Sequence, residues 1–143
     1  MQYQTTRRWL QAASAIVIGF GLLGVATSHP VLSGPERIFI DMAIWPIDGL
    51  PDNPTPESRL LWAIVNGVLI GWGVLLWLIT TRLLPSDPPL ARTMILTSIW
   101  TWFVIDSVGS IAAGAPMNAV FNIGFLLLFV IPLWQPLRQL DAH

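Results

Sequence analysis

Residues 60–81 read LLWAIVNGVLIGWGVLLWLITT, twenty-two residues without a charged side chain. At 1.5 Å per residue a helix of this length reaches about 33 Å, enough to cross the hydrocarbon of a bilayer. Its apolar residues fall on every side rather than along one stripe, as expected of a helix surrounded by lipid. Three other stretches are long and apolar enough to cross as well, at residues 9–27, 90–113 and 117–134. The predicted fold is therefore an all-α integral membrane protein. It is a four-transmembrane-helix bundle forming one domain over residues 1–143, with an outer loop at 28–59.

Composition agrees. The chain is 54% hydrophobic and 10% charged, whereas ordinary soluble domains are about 25% charged. A net charge of −1 gives no reason to expect a nucleic-acid partner. The absence of Cys removes disulfides, thiol redox chemistry, iron–sulfur clusters and Cys-ligated zinc.

Local signals mark the helix starts. Thr55-Pro56-Glu57 supplies an N-cap, a proline at the first helical position and an acid in the first turn. Asp87-Pro88 repeats the device before the third span. Gly114-Ala115-Pro116 is a tight turn that makes the third and fourth spans a hairpin. Ser33-Gly34-Pro35-Glu36 has capping-box spacing and predicts a short helix through about Ile44, lying at the interface, or else an ordered loop.

Arginine placement sets the expected orientation. Arg7, Arg8, Arg82, Arg92 and Arg138 fall on one side, while the 28–59 loop holds Arg37 and Arg59 among five acids. By the positive-inside rule both termini are expected to be cytoplasmic. Trp9, Trp77 and Trp134 then fall at the inner interface and Trp62 at the outer one. Arg7-Arg8, an apolar run and Ala26-Thr27-Ser28 also fit a cleaved twin-arginine signal. A retained anchor is the simpler account, because three more spans follow.

Asp106 is the one charged residue deep inside a predicted span. Placing a carboxylate there costs roughly 2.5–3.5 kcal/mol on insertion scales, so it marks a candidate functional site. Ser110 follows four residues on and Trp102 precedes by four, on the same helical face. Asn118 and Asn122 share a face near the start of span four, and Asn66 sits near the start of span two. These residues reach comparable depth on three helices, which predicts a polar pocket in the outer half of the bundle. Arg59 is expected within reach of Asp106 as a partner, with His29 a second possibility. Interhelical hydrogen-bonding glue is the competing structural reading. Trp72, Trp100 and Trp102 are candidates to line an apolar cavity or to pack in the core.

Small residues suggest close helix approach. Ala63, Gly67 and Gly71 lie four apart, as do Ala15 and Gly19. Packing within the bundle is the first expectation for these faces, and a homo-oligomer or larger membrane complex the second.

No cofactor is predicted. The two histidines, His29 and His143, fall at opposite faces of the membrane, which disfavours a bis-histidine haem or a ligated pigment. No metal-ligand spacing, HExxH, P-loop or GxSxG occurs. A four-helix transporter would need oligomers.

Helix layout also carries a likeness. A first helix ends near Pro30, and a polar segment follows. Glu57-Ser58-Arg59 then leads into the Gly-rich stretch from Asn66-Gly67 to Gly73, and Ala91-Arg92 opens a helix that ends near Ala113-Gly114. This arrangement resembles the DoxX-like superfamily of small bacterial four-helix membrane proteins, over most of the chain. The long first loop and Asp106 are departures from that pattern. The resemblance implies a four-helix bundle, in some members an accessory subunit of a membrane oxidoreductase. The expected role is a non-catalytic accessory or lipid- or small-molecule-binding protein. The alternatives are an enzyme acting on a lipid or isoprenoid, with Asp106 as acid or base and Asn118 and Asn122 orienting the substrate, and an oligomeric proton-coupled transporter titrating Asp106.

Overall fold

The computed structural model describes residues 3–134. Arg138 and His143, used in the reading above, lie outside the described residues. The described residues form five α-helices: α1 (Tyr3–Thr27), α2 (Gly34–Ile44), α3 (Pro56–Leu78), α4 (Pro88–Ala112) and α5 (Pro116–Leu133). Helix α3 continues through a π-helical turn, Ile79–Leu83, so that four helices are long and apolar enough to cross a membrane. Their bounds extend the expected spans by up to six residues, and α1 begins early enough to take Arg7 and Arg8 into its first turns.

The helix starts follow the sequence signals. Thr55 Oγ1 accepts from the Ser58 amide at 3.3 Å, and Asp87 Oδ1 accepts from the Leu90 amide at 3.0 Å. Each satisfies a backbone donor that a helix N-terminus leaves open. Gly114 turns between α4 and α5 at φ +82°, a conformation that costs a residue with a Cβ but not glycine. The capping box does not form. Ser33 Oγ turns back to donate to Pro30 O, and Glu36 is buried with Oε2 unpartnered. Helix α2 exists nonetheless, because its Phe39 side packs on α1 and α5 across one end of the bundle.

The bundle is built as two helix pairs. Helix α1 lies along α3, and α4 along α5. The first pair approaches closely at Gly21, Gly24 and Gly73. A Cβ on Gly21 would stand 2.7 Å from Ile70 Cγ1, and one on Gly73 would stand 2.8 Å from Ile18 Cγ1. The faces named from sequence are not the ones used. Gly19, Gly67 and Gly71 have no neighbour within 4 Å of a Cβ position, and Ala15 is exposed. The expectation that these small-residue faces pack within the bundle is thus corrected. A helix apolar all round does not tell which of its sides turns inward.

The core runs through Leu10, Ala13, Val17, Leu76, Ile95, Ile99, Phe129 and Leu133, towards the end of the bundle opposite α2. There, polar groups close open carbonyls. Pro132 has no amide hydrogen to give Leu128 O, and Trp9 Nε1 from α1 donates to that oxygen at 2.9 Å. Arg92 Nε donates to Leu133 O at 2.9 Å, at the last turn of α5. These bonds tie α1 and α4 to α5 where α5's own ladder runs out.

Candidate ligand cavity

Helices α3 and α4 share few contacts along their length. The π turn joins them at one end, and Trp72 joins them midway. Trp72 Nε1 donates to Ser98 Oγ at 2.8 Å, and its ring lies 5.5 Å from that of Trp102. From Trp72 towards α2 the two helices are separated by a cavity of about 810 Å³. Val65 and Val68 of α3 and Ile105 of α4 border it and are themselves 60–69% exposed, so it opens sideways between the two helices. Phe121 and Phe125 of α5 form the back, and Phe39 of α2 covers the end.

The wall is aromatic and carries one polar corner. Phe20 meets Phe39 and Phe125 edge-on at 6.2 and 5.5 Å, and Phe39 lies 5.8 Å from Trp62. The corner is set by the α4–α5 hairpin. Asn118 and Asn122, one turn apart, both present Nδ2 to Asp106 Oδ2, at 3.1 and 2.6 Å. Asn118 Nδ2 also donates to Ser110 Oγ at 2.8 Å, and Asn122 Nδ2 to Ser107 Oγ at 3.4 Å. Asp106 Oδ2 is the acceptor in both bonds, so the amide nitrogens, not their oxygens, face it.

Asp106, Ser110, Asn118 and Asn122 are therefore brought together as their spacing predicted, and Trp102 stands on the wall one turn away. Asn66 also reaches the cavity, from the opposite side. It is 2% exposed, donates from Nδ2 to Trp62 O at 2.8 Å, and fills the space left by the missing side chain of Gly24. It does not join the Asp106 cluster. Of the three mid-span tryptophans, Trp72 and Trp102 line the cavity, while Trp100 is 45% exposed and packs on Phe103.

Arg59 is not the partner of Asp106. Its Nη1 contacts Pro54 O at 3.5 Å, its charge acts on Glu36, and it is not among the cavity's lining residues. His29 caps a short 3₁₀ turn, Pro30–Leu32, by accepting from the Val31 amide at Nδ1. Sequence reasoning missed Phe20, Phe39, Ser107, Phe121 and Phe125. Ser107 could have been found, since it sits on the α4 side that faces Asn122; the aromatics carry no signal that separates a cavity wall from a lipid-facing side.

Glu36 is a second acid near this site, on α2. It borders a small void of about 50 Å³ whose wall shares Phe20, Phe39 and Trp62 with the main cavity. Burial pushes its carboxyl above the usual carboxylate range, and the Arg59 guanidinium partly offsets that rise. No group of three or more metal-ligating side chains occurs among the described residues. No family model, characterised protein or solved structure matches this chain.

Proposed function

We propose that this chain is a multi-pass protein of the bacterial inner membrane that holds a lipid or other amphiphilic small molecule between α3 and α4. The carrying observation is the cavity itself, which pairs aromatic walls with a single hydrogen-bonded polar corner and a lateral opening. Ligand sites have this character, mostly apolar with a few placed polar groups. An opening that faces the hydrocarbon admits molecules already dissolved in the bilayer. The arginine distribution supports cytoplasmic termini, with α2 and the cavity's covered end outside. The DoxX-like resemblance and the exposed small residues Gly67, Gly71, Ala15 and Gly19, with half-buried Ala63 beside them, favour work within a larger assembly, as an accessory subunit or a homo-oligomer.

Binding is favoured over catalysis by the cavity's chemistry. Asp106 is the only titratable group among its described lining residues, whereas acid–base turnover of a lipid or isoprenoid calls for both a donor and an acceptor. Native mass spectrometry of detergent-extracted protein tests the reading. A discrete amphiphile adduct is expected on the parent and its loss on Leu69→Trp, which fills the cavity. Equal adducts on both proteins would sink it. Copurification of a defined complex in mild detergent would support the accessory-subunit role.

A further inference from the structure

We infer that the occupant of this cavity carries its own positive charge: a cationic amphiphile, with an ammonium head on an apolar body. The inference rests on the reading of the cavity as a binding site, and three observations carry it.

First, Asp106 lines the cavity with no counter-ion among the described residues. None of the described lining residues is cationic, and the two partners the sequence offered are placed elsewhere, Arg59 at Pro54 and His29 at Val31. A carboxylate at membrane depth is costly unless something neutralises it. The lateral opening lets a guest from the bilayer do so.

Second, the corner's amide donors are used and most of its acceptors are not; the Ser107 and Ser110 hydroxyl hydrogens are the donors that remain. Nδ2 of Asn118 carries two hydrogens and has two acceptors, Asp106 and Ser110; Nδ2 of Asn122 likewise has Asp106 and Ser107. Both bonds to the carboxylate end on Oδ2, so Oδ1 and the two amide oxygens keep their acceptor capacity. A phosphate, sulfate or carboxylate head would meet like charge and few donors. An ammonium head brings three N–H donors to a site that can accept them.

Third, the walls suit a cation. Trp62, Trp72 and Trp102 line the cavity together with four phenylalanines. Aromatic faces attract ammonium groups, most strongly where water is excluded.

The test uses full-length protein in phosphatidylcholine nanodiscs and three probes with one tail: dodecylammonium, 1-dodecanol and dodecyl sulfate. Emission of the cavity tryptophans and the thermal unfolding midpoint report binding. Dodecylammonium is expected to bind saturably, about tenfold or more tighter than dodecanol, with dodecyl sulfate weakest. Asp106→Asn should lose most of the ammonium affinity and keep dodecanol within about twofold, since it removes charge but retains an oxygen acceptor. Should that variant not fold, Ile105→Trp, at the exposed rim, should weaken the ammonium probe without touching the corner. The head-group ranking on the parent protein needs no variant. Equal binding of alcohol and ammonium, or tighter binding of sulfate, overturns the cation inference and leaves the cavity reading standing. Saturable binding of none of the three overturns both.

Discussion

Asn122 Nδ2 and Asp106 Oδ2 meet at 2.6 Å across the α4–α5 hairpin, the closest contact in the polar corner. The bond does two things at once. It joins two helices and fixes which carboxylate oxygen remains for a guest. A double-mutant cycle with Asp106→Ala and Asn122→Ala should return a coupling of about 0.6–2 kcal/mol, the range for hydrogen bonds between membrane helices. Asp106→Leu should cost more stability than Asp106→Asn, because it takes from the Asn118 and Asn122 amides one of the two acceptors each has, leaving only Ser110 and Ser107. If Asp106→Leu unfolds at the parent's temperature and binds amphiphiles equally well, neither structural nor functional weight rests on this acid.

Trp9 and Pro132 make a reciprocal pair. Trp9→Phe should cost about 1 kcal/mol by leaving Leu128 O without a donor. In a Pro132→Ala background the helix regains its own amide hydrogen, and the same Trp9→Phe change should then cost little. Thermal unfolding of the four proteins measures this, and equal costs in both backgrounds would remove the indole's supposed role.

Glycines divide by their surroundings. Gly24→Ala puts a methyl group into the Asn66 amide and should destabilise by about 1–3 kcal/mol. Gly67→Ala enters open space and should stay within about 0.5 kcal/mol for the monomer. Gly67→Leu separates the remaining possibilities, since crosslinked oligomers should disappear if this face joins copies of the chain and persist if it meets only lipid.

Glu36 gives the docking of α2 a pH dependence whose sign follows from burial. Its folded carboxyl holds a proton to higher pH than the unfolded one does. The favourable balance is complete below the ordinary carboxylate range and is lost as pH rises through the raised folded value. Protection factors of residues 34–44, exchange rates corrected for the intrinsic rate at each pH, should therefore be higher in mild acid than at neutral pH, and Glu36→Gln should flatten that profile. An unchanged profile in Glu36→Gln would assign the dependence to another group.

Topology is directly measurable because the chain has no native cysteine. A cysteine at Asp48 should react with a membrane-impermeant maleimide in intact cells, and one at Ser86 should react only after lysis. The reverse pattern would invert the orientation proposed above.

The parts of this fold that were legible are those where local chemistry decides. Thr55, Asp87 and Gly114 announced helix ends, because capping and turning depend on a few adjacent residues. Asp106, Ser110, Asn118 and Asn122 could be gathered from i, i+4 spacing and one short turn. Rotation about each helix axis was not legible. Lipid rewards apolar residues on all sides, so Gly67 and Gly71 looked as well suited to packing as Gly21 and Gly24. The direction of Arg59 was also hidden, since its reach allows either Asp106 or the 51–54 segment, and tertiary placement of Glu36 and Pro54 decided it.

The tie between Trp72 and Ser98 has a consequence for whatever enters the cavity. Ser98 and Asp106 are eight residues apart on α4, about 12 Å along the axis. Trp72 closes the lower end of that interval. A head held at Asp106 with its tail pointing inward thus meets a floor, which turns the helix pair into a ruler. Under the proposed binding role, short tails would fit whole, and longer ones would bend out through the gap beside Val68.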